Sequence, residues 1–173
     1  MSAMVPAGKG RATGVDDMLR LEIPGREALE LDHLVLDYNG TIAASGALVD
    51  GVAERIARLA GELTVHVVTA DTFGSVASAL AGLPVRLHVL PPGMQDEAKR
   101  RYVADLGSLR TVAMGNGRND LLMLLEAGLS VAVMGDEGAS VQTLCAADVA
   151  VRHICDGLDL LLHPLRLVAT LRR

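Results

Sequence analysis

The feature that most limits how this chain can fold is an alternation. Short apolar, β-branched runs are separated by segments whose apolar residues recur at helical spacing, and the pattern repeats about six times. The runs are His33–Leu36, LTVHVVTA with its strand ending at Thr69, VRLHVL, TVAM, LSVAVM and DVAV. Between them stand Val52–Leu59, VASAL, Asp96–Leu106, Asn119–Ala127 and VQTLC, and the leucine-rich Ile154–Leu171 follows the last. A strand covered on both faces reads as a continuous apolar run, whereas a strand with one wet face alternates. The pattern therefore predicts an α/β fold: an open, mostly parallel sheet with helices on both faces. Ligands in such sheets sit beyond the carboxyl ends of the strands.

The remaining segments are shorter. LRLEI (Leu19–Ile23) and ALEL (Ala28–Leu31) flank Pro24-Gly25 and suggest a pair of strands. Ile42–Val49 is long enough for a loop or a short hairpin, and Asp50 is placed to cap the helix over Val52–Leu59. Residues 1–17 are small, polar and Gly-rich, without the apolar segment of a secretion signal, and are expected to be a disordered tail before one domain over 18–173. Half of the residues are apolar but only three are aromatic, so Val, Leu, Ala and Met must build the core. A net charge of −5 argues against general binding to nucleic acid or membrane surfaces. No apolar run approaches the roughly 18 residues of a membrane span. Cys145, Cys155 and the nearby His153 fit no paired metal spacing, and packing in a reducing cytoplasm is the expectation.

Four places carry polar residues where the fold would put a site. Asp37 ends an apolar run and enters the loop DYNGT; as a local feature, Asp-x-Asn-Gly is also an ordinary turn. Thr69 ends the second long strand, where Thr is a normal strand residue. Lys99 is one of only two lysines against 14 arginines, and the other, Lys9, is in the tail. A compact ammonium reaches places a planar guanidinium cannot, although Arg100 and Arg101 follow at once and a solvated helix face explains it equally well. GNGRND, Gly115 to Asp120, turns a strand into a helix; it lacks the third glycine of a dinucleotide fingerprint and the Gly-Lys-Ser/Thr of a P-loop, and a capped turn is its plain reading.

In this order, at strand ends, the four resemble the motifs of the haloacid dehalogenase (HAD) superfamily. DYNGT resembles its Asp-x-Asp-x-Thr, Thr69 its second motif, Lys99 its third, and GNGRND its Gly-Asp-Gly-x-Asn-Asp. The resemblance covers roughly residues 30 to 165 and implies a three-layer, Rossmann-like fold. Within the superfamily the chain resembles the phosphorylation domain of P-type ATPases. VVTAD is similar to their Thr-Gly-Asp, and Pro91–Lys99 is similar to their Pro-x-x-Lys region.

The resemblance implies a Mg2+-dependent phosphohydrolase in which Asp37 is the nucleophile and becomes an aspartyl-phosphate. It implies that Asp37, the backbone carbonyl of Asn39 and Asn116 hold the metal, with Asp120 in support. It implies that the backbone N–H groups of Asn39, Gly40 and Ala70, the Thr69 hydroxyl, Lys99 and Asn119 hold the phosphoryl oxygens. Two positions depart from the pattern. Asn39 stands where phosphatases of the family carry the acid that protonates the leaving oxygen and activates water, work that commonly contributes about 10²–10⁴-fold. Asn116 stands where a metal-binding Asp is expected. Activated phosphates (anhydrides, acyl or aryl phosphates) are therefore the expected substrates, and a catalytically weak relative that binds a phospho-ligand or a partner is the alternative. A receiver-type signalling domain also uses Asp, Thr and Lys on a parallel sheet, but the acidic pair it needs at the first strand is absent. Only 32 residues separate Asp37 from Thr69, and 30 separate Thr69 from Lys99. Neither interval has room for a cap domain, so the site should be open to a small or macromolecular phosphorylated substrate or closed by a neighbouring copy in a homo-oligomer.

Overall fold

A computed structural model of the chain describes residues 18–70 and 74–173. The tail expected over 1–17 and Asp71 of the VVTAD segment lie outside these residues. The first elements are β1 (Leu19–Leu21) and β2 (Leu29–Leu31), an antiparallel pair with Leu19 opposite Leu31. They are followed by β3 (His33–Asp37), the small hairpin β4 (Ala43–Ala44) and β5 (Ala47–Leu48), α1 (Val52–Leu59) and β6 (Thr64–Thr69). Then come α2 (Ser75–Ala79), β7 (Val85–Val89), α3 (Gln95–Leu106), β8 (Thr111–Gly115) and α4 (Leu121–Glu126). The chain ends with β9 (Leu129–Val133), α5 (Val141–Ala146), β10 (Val149–Val151), α6 (Ile154–Leu162) and α7 (Pro164–Leu171).

Six of the strands form one sheet in the order β10-β9-β8-β3-β6-β7, and every neighbouring pair is parallel. The α/β fold read from the alternation is the one observed. Strand side chains alternate between faces. Leu34, Leu36, Val65, Val67, Val112 and Met114 pack on one side with Ile56 of α1 and Leu158 of α6. Val35, Val68 and Ala113 pack on the other with Val103 of α3 and Met123 of α4. From β3 the chain moves outward through β6 and β7, then returns to the opposite side of β3 for β8, β9 and β10. The strand order thus reverses between β3 and β8. Where it reverses, the following connections diverge and leave a crevice at the carboxyl edge. Asp37 closes β3 and Gly115 closes β8 at that crevice.

Three local expectations are corrected. Asp50 does not cap α1: Gly51 takes the cap position in a left-handed conformation (φ 81°) with no side-chain cap bond. Ile154–Leu171 is two helices, because Pro164 has no N–H to donate and its ring excludes the carbonyl one turn back. The helix expected from Asn119 opens instead as a 3-10 turn over Arg118–Asp120, with α4 starting at Leu121.

Candidate active site

Asp37 is buried at the end of β3, 6% exposed. The chain leaves it through a tight turn in which the Tyr38 carbonyl accepts the N–H groups of Thr41, Ile42 and Ala43. Gly40 sits in this turn at φ 76°, and a Cβ there would stand 2.5 Å from Asn116 Nδ2. Glycine at this point lets the Asp37 loop and the Asn116 loop lie against each other. Across the crevice, Asp120 is fully buried. Its Oδ2 accepts the backbone N–H groups of Asn116 and Gly117, both at 2.9 Å. Gly115 permits this, since a Cβ there would come within 2.5 Å of the Asp120 side chain.

Lys99 joins the two loops. It enters from α3, is 1% exposed, and donates to Asp37 Oδ1 and Asp120 Oδ1 at 2.6 Å each. The solvated-face reading of Lys99 is thereby corrected: the ammonium reaches inward between two carboxylates. The Thr41 hydroxyl completes the cluster, lying 3.1 Å from Asp37 Oδ2 and 3.3 Å from Asn116 Oδ1.

The charges do not cancel. Burial lowers the affinity of Lys99 for its proton, but the two adjacent carboxylates outweigh it, and the ammonium is held charged. Burial first, and then the charge of Asp120, push Asp37 up to about 6, against the pull of Lys99 and Thr41. One cation serves two acids, and Asp37 holds its proton more tightly than a free carboxyl does.

The other expected residues divide. Thr69 is buried at the end of β6, one strand from Asp37, and Ala70 follows it half-buried. Asn39 is exposed, with no charge to carry into the loop. The Gly40 N–H, expected to meet a phosphoryl oxygen, donates to the Ala43 carbonyl at 2.9 Å instead. Asn119 is exposed and bonds Gln95 at 3.5 Å, apart from the Lys99 cluster. Two residues were missed. Thr41 belonged to the DYNGT motif, yet its bridging role needed the position of Asn116. Glu137, in the loop after β9, places Oε2 2.9 Å from where a Gly40 Cβ would stand. A cavity of about 50 Å3 opens beside it, bordered by Gly40, Thr41, Gly135 and His153.

Among the described residues, no group of three His, Cys, Asp or Glu side chains is placed to hold a metal ion by itself. The donor chemistry nonetheless suits a hard cation. Asp37 Oδ2 and Asn116 Oδ1 face the same Thr41 hydroxyl. A hydroxyl has one proton, so one of the two oxygens is always without it. Mg2+ takes oxygen ligands and keeps several waters, and carboxylate plus amide oxygens with a backbone carbonyl nearby match that demand. Between Asp37 and Thr69 stand only the β4–β5 hairpin and α1, so no cap covers the crevice from that interval.

No protein-family model matches the chain. A cobalt-bound deoxy-D-mannose-octulosonate 8-phosphate phosphatase of Haemophilus influenzae has a similar structure, with a TM-score of 0.63 at 15% identity over 77% of this chain and 88% of that one. So does a 3-deoxy-D-manno-octulosonate 8-phosphate phosphatase of Moraxella catarrhalis in complex with magnesium, phosphate and KDO, with a TM-score of 0.61 at 17% identity over 82% of this chain and 94% of that one. A phosphoserine phosphatase in its apo form gives a TM-score of 0.60 at 15% identity over 75% and 98%. In sequence, an uncharacterized protein of Methanocaldococcus jannaschii is 49% identical over 63 residues, which is 36% of this chain and 68% of that protein. The chain belongs to the family of that archaeal protein, and its fold is that of the HAD superfamily.

Proposed function

We propose that the chain is a Mg2+-dependent phosphohydrolase that takes the phosphoryl group onto Asp37. The observation that carries this reading is the buried Lys99 held between Asp37 and Asp120 at the strand-order reversal. Burying three ionisable groups with a surplus charge costs stability, and such arrangements cluster where chemistry needs them. The similar structures support the same class, because two are octulosonate 8-phosphate phosphatases and one of these holds magnesium and phosphate.

A carboxylate oxygen of Asp37 attacks phosphorus, and the bond to the leaving oxygen breaks with its electron pair departing on that oxygen. Asp37 attacks as its anion, the dominant form above about pH 6. A bound divalent cation supplies the charge that lets a carboxylate approach an anionic phosphate. Lys99 has three N–H donors and uses two on Asp37 and Asp120, which leaves one for a phosphoryl oxygen. Asp120 keeps Lys99 charged when Asp37 becomes esterified. The Thr69 hydroxyl and the N–H groups of Asn39 and Ala70 provide further donors at the crevice.

The amide of Asn39 neither protonates the leaving oxygen nor activates water. Substrates whose leaving group departs unprotonated, such as acyl, aryl or anhydride phosphates, are therefore favoured, and the phospho-Asp37 form hydrolyses slowly. A second reading, a phospho-ligand or partner-binding module, is favoured by the same two amides, Asn39 and Asn116. Incubation with Mg2+ and acetyl phosphate or p-nitrophenyl phosphate separates them. Acid-stable, hydroxylamine-labile labelling that disappears in Asp37→Asn is expected. Absence of label and of turnover with several activated phosphates selects the binding module, and fast turnover of alkyl monoesters overturns the substrate preference.

A further inference from the structure

The replacement of an expected acid by Asn116 leaves the cation site one charge short, and a carboxylate from another part of the chain stands beside the gap. Glu137 lies 21 residues further on, in the loop between β9 and α5. Its Oε2 and the Asn116 side chain crowd the same point: a Cβ on Gly40 would be 2.9 Å from the first and 2.5 Å from Asn116 Nδ2. Asn116 also donates from Nδ2 to the Gly138 carbonyl at 3.1 Å, which ties the Glu137 loop to the GNGRND turn. The Ser140 N–H donates to the Asn116 carbonyl at 2.9 Å and fixes the same two loops a second time. Unlike Asp37 and Asp120, Glu137 has no hydrogen-bond or ion-pair partner among the described residues, and it is exposed. Its side chain is therefore free to change rotamer without breaking anything.

We propose that Glu137 supplies the carboxylate that position 116 lacks, binding the divalent cation held by Asp37 and Asn116 either directly or through one of its waters. The inference rests on the reading of Asp37 and Asn116 as cation ligands. A neutral amide at position 116 lowers affinity for a hard cation, and a carboxylate one loop away restores the charge. Asp136, its exposed neighbour at the same cavity, provides the control, since it carries the same unit charge but is not among the atoms nearest a Cβ on Gly40.

The test is binding of Mn2+ and Mg2+ to metal-stripped protein, followed by isothermal titration and by the electron-spin signal of free Mn2+. Wild type, Glu137→Gln, Asp136→Asn and Asp37→Asn are compared, with melting curves confirming that each is folded. Glu137→Gln is expected to weaken binding at least tenfold, and Asp136→Asn less than twofold. Affinity in Glu137→Gln within twofold of wild type overturns the proposal. So does an equal loss in the Asp136 variant, which would assign the effect to the field of the rim. If Asp37→Asn weakens binding while Glu137→Gln does not, Glu137 is excluded and the reading of Asp37 stands. If the wild type binds neither ion, or Asp37→Asn binds as well as wild type, that reading fails and this inference with it. A Glu137→Gln variant with unchanged affinity but slower loss of phosphate from Asp37 makes Glu137 an acid–base group and overturns the assignment as a ligand.

Discussion

Helix α3 carries Lys99 and Tyr102 one turn apart, and under the same sheet face the two side chains meet opposite treatments of buried polarity. Lys99 joins two carboxylates, and the one at Asp37 is pushed up to about 6. Tyr102 meets a neutral cluster: its hydroxyl is hydrogen-bonded to His66 Nδ1 at 2.8 Å, and His66 Nε2 to His33 Nδ1 at 3.2 Å. His88 stacks on the Tyr102 ring with centroids 4.5 Å apart. Burial, the neighbouring His33, Arg86 and His88 bring His66 down to about 4, so it is uncharged at neutral pH. In the neutral cluster the buried His66 has a partner for each ring nitrogen. The charged one keeps a cost that a cation or a phosphoryl group would relieve. On the proposed reading, the difference separates the turn of α3 that serves chemistry from the turn that serves the fold.

The comparison breaks first at Lys99. Lys99→Met in metal-free protein leaves Asp37 and Asp120 facing each other, 6% and 0% exposed, without their cation. Removing one partner of a buried ion pair costs about 3–5 kcal/mol, and the loss should appear at pH 7.5 in urea denaturation and shrink in acid as the carboxylates take up protons. A variant as stable as wild type at pH 7.5 would mean that the charges are not coupled through Lys99.

Asp37→Asn should act in the opposite direction. The Asp37 carboxyl is raised from 3.8 to about 6, so folding favours its protonated form. Its contribution to stability is therefore fully present below pH 3.8 and lost as pH rises through about 6. At pH 7.5 without metal, the amide removes that cost, and stability should rise by on the order of 1–3 kcal/mol. The gain should fade toward pH 4. A residue whose removal stabilises the protein while abolishing the phospho-label has been kept for function.

These two clusters were unequally legible in the sequence. Asp37, Thr69 and Gly115–Asp120 could be placed at strand ends, and Lys99 on a helix, because periodicity and turn residues are local signals. That Lys99 points inward rested on a composition bias, one internal lysine among arginines, and the sequence left both directions open. Thr41 as a bridge and Glu137 as a neighbour of Gly40 depend on β8 lying beside β3 and β9 beyond it, which no spacing records. The place of Asn119 was not legible either, because the first turn after Gly117 is 3-10, which directs side chains differently from the α-helix the sequence suggests. The His33–His66–Tyr102 cluster was invisible for the same reason as Glu137: it joins two strands and a helix far apart in the chain, and each residue alone fits an ordinary strand or helix.

The neutral cluster predicts an acid dependence of the other sign. His66 is depressed from 6.5 to about 4, so its contribution is present above pH 6.5 and lost as pH falls toward 4. His66→Gln keeps a neutral hydrogen-bonding group without titrating. Denaturation at pH 4.5 should find it on the order of 1–2 kcal/mol more stable relative to wild type than it is at pH 7.5. A constant difference at both pH values would show that His66 does not resist protonation.

The smallest effect is expected from Tyr102→Phe, and it tests whether the two ends of α3 are separate. The change removes one hydroxyl, retains the ring that stacks on His88, and leaves His66 Nδ1 without its partner. A lost hydrogen bond of this kind costs about 0.5–1.5 kcal/mol. Lys99 is one turn away, and its two bonds run to the opposite, carboxyl end of the sheet. Labelling of Asp37 by acetyl phosphate should therefore stay within twofold of wild type while urea stability falls. If labelling falls with stability, the neutral cluster sets the position of α3 and so of the Lys99 ammonium. His66 and Tyr102 would then be positioning residues of the site, and the division of α3 into a chemical end and a structural end would be wrong.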